Sequence, residues 1–224
     1  MGLTHPLFSG ILSTVNVIQT NFQAVQRGDM SIKQGYRFDP IRGFHLEEAR
    51  PEPSPSGLDF EKLSPFLRAL LATDGTVTKF LEAYLWEPIQ IKLLFQGDTV
   101  IDRDIPELEL TKGTSVLKRH VLLRGLVSGR NYTFAESLIR LDRLWEQLRE
   151  ELLQGRLGMG EILRDRRMET YRELITYGRE AVGDLSSVMK MAPNETLLYR
   201  SYRIFNKQLP TILITEKFPE RYLP

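Results

Sequence analysis

The sequence contains no cysteine. That excludes disulfides, thiolate metal sites and a cysteine nucleophile, and it fits a reducing compartment. Histidine is almost as scarce: His5, His45 and His120 stand far apart, without the HExxH spacing that holds a catalytic zinc. Neither sign of charge is in surplus, since the formal net charge is +1. Nucleic acid and anionic membrane surfaces are therefore not expected partners. No GxGxxG pattern or Walker-type glycine loop offers a cradle for phosphate. There is no run of 18 apolar residues, and the first residues lack the basic start and apolar core of a signal peptide. The expectation is a soluble, cytoplasmic protein that needs no metal or cofactor and inserts in no membrane.

The 224 residues are 42% apolar and 26% charged, enough for one domain with a substantial core and an appendage. The clearest break is "PEPSPSG", residues 51 to 57. It divides an N-terminal extension and linker, 1–57, from a main domain, 58–224. In the extension Ile11, Val15, Ile18, Phe22 and Val25 recur at helical spacing, and Gly28 is placed to end that helix.

In the main domain Ser64 and Pro65 read as N-cap and first residue of a helix with Phe66, Leu67, Leu70 and Leu71 on its apolar stripe. "TDGT" (73–76) interrupts, and a second helix carries Val77, Phe80, Leu81 and Tyr84. The period then changes to two. Ile89, Ile91, Leu93 and Phe95 alternate with polar residues, as in a strand with one wet face. Residues 116–141 read as a long hairpin turning at 128–131. A helix is expected from about Asp142, with Leu144, Trp145, Leu148 and Leu152 on one side, and "GRLGMGEIL" (155–163) as a glycine-punctuated turn into another. Strands are expected over 168–180, 197–205 and 211–218. Hairpin-linked strands with grouped helices indicate an α+β fold on an antiparallel sheet.

Two charges break the apolar pattern. In "PTILITEKFP" (210–219), Glu216 shares strand parity with Ile212, Ile214 and Phe218. In "LKRHVLL" (117–123), Arg119 shares parity with Leu117, Val121 and Leu123, while His120 falls on the other face with Lys118. A charge on a buried face needs a partner or a function. Either a structural ion pair or a functional site satisfies that pattern.

Several stretches together resemble the chorismate pyruvate-lyase family: "LLATDGTVTKFLE" (70–82), "LKRHVLL", "RLGMGEIL" (156–163), "ITYGRE" (175–180) and "LPTILITEKF" (209–218). The resemblance begins at Leu58 and covers most of the last 168 residues. It implies a six-stranded antiparallel sheet with flanking helices around an internal ligand cavity. It also implies conversion of chorismate to 4-hydroxybenzoate and pyruvate, feeding quinone or phenolic metabolism. Arg119 matches the family's carboxylate-binding arginine, and Glu216 the glutamate beside the para oxygen at the opposite end of the ring. Val77 and Met159 match flap positions that meet the ligand carboxylate through backbone N–H groups. In the second flap "MGE" (159–161) stands where Leu-Gly-Arg is common. Aromatisation drives the lyase reaction, so the protein has to hold a dianion, exclude water and manage one proton. The two charges are then expected at opposite ends of the cavity without touching, and Glu216 is the proton handler. Arg179, in "ITYGRE", is the weaker candidate cation for the second carboxylate, with a surface role as its equal alternative. The same fold also serves as a small-carboxylate sensor without catalysis, and a related lyase acting on a chorismate relative is a further alternative.

Overall fold

A computed structural model describes residues 36–41, 43–46, 58–144, 149–150, 152 and 171–223. The chain divides into two units, Met1–Pro51 and Glu52–Pro224. In the first, β1 (Tyr36–Asp39) and β2 (Gly43–Leu46) pair antiparallel. The Asp39 carboxylate accepts the Ile41 N–H at 2.8 Å, and Gly43 supplies a φ of +77°. The sequence reading assigned no strand here. The helix expected over residues 11–25 lies outside the described residues.

The second unit is built on six antiparallel strands: β3 (Ile89–Val100), β4 (Ser115–Gly125), β5 (Asn131–Ile139), β6 (Tyr171–Ala181), β7 (Thr196–Asn206) and β8 (Leu209–Pro219). Their spatial order is β3–β4–β5–β8–β7–β6. Because β8 follows β5 in space, residues 140–170 carry the chain from mid-sheet to the far edge. The β7–β8 turn places Lys207 and Gln208 at positive φ, the two-residue geometry whose twist matches the flanking strands.

Two helices lie over one face of this sheet. In α1 (Pro65–Ala72) the Ser64 hydroxyl accepts the Leu67 N–H at 3.2 Å, and Pro65 occupies the first turn. The stripe Phe66, Leu67, Leu70 and Leu71 is buried. An extended segment, Thr73 to Thr76, leads into α2 (Val77–Leu85), which ends on Trp86 in the left-handed region. The Phe66 ring packs on Phe80 and Tyr84, at centroid separations of 5.3 and 4.0 Å, and so joins the two helices. Glu82 accepts the Ile89 N–H at 3.2 Å and fixes α2 against the start of β3.

Beneath the helices Leu117, Ile139, Tyr202, Ile204, Ile212 and Ile214 form an apolar layer with Leu152. Two further clusters occupy the opposite face. One gathers Leu122, Phe134 and Leu197 under α3 (Ser186–Met189), with Met189 and Met191 as core residues. The other gathers Ile101, Ile105, Leu108, Leu110 and Val116. Among the described residues no helix is long and apolar enough to cross a membrane.

The structure departs from the expected pattern at three places. The helix expected from about Asp142 is preceded by a 3-10 turn, Leu141–Arg143, and an extended Leu144, while residues 149, 150 and 152 are helical as expected. Trp145, Leu148 and the 155–163 segment lie outside the described residues. In β3 the register slips between Leu93 and Phe95, so Phe95 opposes His120 and leaves the face shared by Ile89, Ile91 and Leu93. One extra residue sends every later side chain to the other side of the sheet. A matching slip in β6, between Leu174 and Thr176, brings Arg172 onto the face of Tyr177, which strict alternation over 168–180 would deny it.

Candidate active site

A cavity opens between the helix pair and the sheet, with about 570 Å³ of empty space, open solvent at its mouth included. Its roof is the start of α2, Gly75 to Thr78, and its floor includes Val121, Leu123, Ala135, Ser137 and Ile214. Thr76 makes no side-chain cap bond to α2, so it does not satisfy the first-turn N–H groups beside Val77. Glu216, Tyr202 and Arg172 complete the polar part of the wall.

Glu216 lies on β8 with 7% of its surface exposed. Its partner is Arg200, which is 2% exposed. Its Nε donates to the Glu216 carboxylate at 2.8 Å, and the Tyr202 hydroxyl donates to the other carboxylate oxygen at 3.2 Å. The Arg200 Nη1 donates to the carbonyls of Leu70 (2.9 Å), Leu71 (3.3 Å) and Thr73. One guanidinium therefore neutralises the buried carboxylate and satisfies the C-terminal carbonyls of α1 at the flap. Burial, followed by the Glu216 charge, pushes the Tyr202 phenol well above its usual pKa, so the hydroxyl remains a donor.

Arg119 is also 2% exposed, on β4, and burial lowers its pKa from the ordinary guanidinium value. It faces Ser137 across β5, while Glu216 faces Ala135 one row further along. Two strands and two residues separate the pair, so their Cα atoms are roughly 12 Å apart. Arg119 is next to the cavity floor but is not among the residues lining the cavity. Glu216 and Val77 both line it. Met159 lies outside the described residues.

Arg179 takes the surface role, with its side chain 45% exposed. Its guanidinium is paired with Glu220 at 2.7 and 2.9 Å, near the end of the sheet. Two arginines that the sequence reading missed take its place near the cavity. Arg200 was legible: it shares parity with Leu198, Tyr202 and Ile204, the same signal that exposed Arg119. Arg172 was not, because the slip in β6 hides its face. Among the described residues no cluster of three or more His, Asp or Glu side chains could hold a metal ion.

Comparison with known proteins agrees with this architecture. A chorismate pyruvate-lyase of Mycobacterium leprae (strain TN) is 34% identical over 71% of this chain and 77% of its own length. One from Mycobacterium tuberculosis (strain H37Rv) is 27% identical over 73% of this chain and 84% of its own. The crystal structure of PhnF from Mycobacterium smegmatis shares the fold with a TM-score of 0.53 at 13% identity, over 90% of this chain and 80% of PhnF. The family model described as "Chorismate pyruvate-lyase Rv2949c-like" matches residues 71–223, and the chain belongs to that family.

Proposed function

We propose that this chain is a chorismate lyase, converting chorismate to 4-hydroxybenzoate and pyruvate, and that residues 58–224 carry the chemistry. The observation that carries the reading is Glu216: a buried carboxylate on a cavity wall, held by Arg200 and Tyr202, with the buried Arg119 cation two strands away. That separation leaves room for one six-membered ring between a carboxylate-binding end and a proton-handling end. The family membership supports the same assignment.

In this reading Arg119 takes the ring carboxylate through its planar fork. Val77, and Met159 in the second flap, offer backbone N–H groups to the same carboxylate. Glu216, ion-paired with Arg200, takes the ring proton beside the hydroxyl. The ether C–O bond breaks, the electrons of the C–H bond aromatise the ring, and the departing enolpyruvate collects a proton to become pyruvate. Atoms and charge balance without an oxidant or a metal. A cytoplasmic location and delivery of the product to quinone or phenolic metabolism belong to the same proposal.

The test is direct. Purified protein with chorismate should release pyruvate and 4-hydroxybenzoate in equal amounts, and the rate should survive a chelator. Tight binding of 4-hydroxybenzoate with no pyruvate released overturns the enzyme and supports the carboxylate-sensor reading of the same cavity.

A further inference from the structure

We infer that Arg172 is the second carboxylate site of the cavity, taking the enolpyruvyl carboxylate of the substrate and thereby separating a dianionic substrate from its monoanionic product. The inference rests on the lyase reading above and adds to it the residue that recognises the ether arm.

Four observations carry it. Arg172 lines the cavity together with Glu216 and Tyr202. Its Cζ lies 5.9 Å from the centroid of the Tyr202 ring, whose hydroxyl holds Glu216. Its Nη1 donates to the carbonyls of Asp74 and Gly75, both at 2.7 Å. Those two bonds occupy one nitrogen. The Nε and Nη2 edge, the side of a guanidinium that grips carboxylates in a bidentate manner, is engaged by no described residue. Three strand arginines nearby are neutralised: Arg200 by Glu216, Arg203 by Glu173 and Arg179 by Glu220. Among the described residues no carboxylate lies within ion-pair distance of Arg172.

The charge balance follows. Glu216 and Arg200 cancel, so among the described residues Arg172 leaves that wall with one uncompensated positive charge. The substrate carries its ether on the ring carbon next to the hydroxyl, and the lyase reading puts that hydroxyl at Glu216. The ether arm therefore leaves from the half of the ring nearer Glu216, and the ring orientation that turns it toward the β7 and β6 wall brings it to Arg172. Arg172 presents its open edge from β6 while its other nitrogen holds the flap carbonyls, so the same cation binds the arm and keeps the roof closed. The product has lost this arm and has nothing for Arg172 to hold.

The experiment compares two ligands on three proteins: wild type, Arg172→Gln and Arg172→Lys. KM for chorismate, kcat, and the inhibition constant of 4-hydroxybenzoate are measured for each, with thermal melting to confirm folding. The expected result for Arg172→Gln is a roughly ten- to hundredfold rise in KM, with kcat and the product constant within about threefold of wild type. Arg172→Lys, which keeps the charge but loses the fork, should fall between. An equal loss of affinity for both ligands makes Arg172 a flap clasp only and overturns the proposal, as does no change for either. A wild-type protein that releases no pyruvate sinks the lyase reading itself, a result separable from either Arg172 outcome.

Discussion

The two faces of the sheet carry matching sets of charges in different surroundings. On the cavity face, Arg200 and Glu216 pair across β7 and β8 with side chains 2% and 9% exposed. On the opposite face, Lys118 and His120 pair with Glu136 across β4 and β5 at 2.9 and 2.7 Å, all three between about a quarter and two fifths exposed. Chemically these are the same cross-strand device. Physically they differ, because water screens one set and is nearly absent from the other. A dry pair costs a great deal to break and can hold a reacting group still. A wet pair shifts stability by little and can be lost cheaply.

The sharpest way to test the contrast is Glu216→Gln. The change keeps the shape and removes the proton acceptor, so kcat for pyruvate release should fall by about 10³-fold while circular dichroism remains native. Retention of most of the activity would move the chemistry to another group. Next in size is Arg200→Met, which leaves the Glu216 carboxylate buried without a counter-ion and the α1 carbonyls without their donor. Urea unfolding should show a loss of about 3–5 kcal/mol. A loss below about 1 kcal/mol would mean that water already reaches the pair.

Arg119→Ala should weaken 4-hydroxybenzoate binding by roughly ten- to hundredfold, the worth of a charge-assisted hydrogen bond, with a smaller effect on kcat. Tyr202→Phe deletes one neutral donor to Glu216 and should cost about 1 kcal/mol in stability. The wet side provides the smallest effect. Burial raises the Glu136 pKa, but the hydrogen bond and charge of Lys118, then of His120, outweigh it and leave the value lowered. A carboxyl with a lowered folded-state pKa contributes stability above the usual glutamate range and loses it as the pH falls through the folded value. Glu136→Gln should therefore cost less than about 1 kcal/mol near neutrality, and the gap to wild type should close on acidification. An equal gap at all pH values would show that packing, not charge, holds that site.

The same contrast shows what the sequence could reveal. Period-two alternation found both informative charges, because Glu216 and Arg119 sit in strands that keep their phase around those positions. Applied to "LLYRSYRIF", the rule also yields Arg200, which shares parity with Leu198, Tyr202 and Ile204. Arg172 and Phe95 are different. Each lies next to a register slip, and a slip depends on how two strands meet, which no single strand encodes. The α1 cap and the turn into α2 were legible from Ser64, Pro65 and "TDGT" because their causes are local. Glu216's partner was not, since that bond joins residues on two strands and becomes visible only with the pairing of β7 and β8.

The slips in β3 and β6 have one more consequence. These are the outer strands of the six, and among the described residues each has one side without a strand partner, where backbone donors and acceptors form a row. A straight outer strand is a template on which a stray chain can add, and an irregular one is a poor template because its spacing and twist no longer match. The irregularities that set which side chains of these strands face the cavity thus also oppose growth of the sheet into a fibre. Straightening either strand by deleting its extra residue should therefore promote self-association as well as disturbing the side-chain phase.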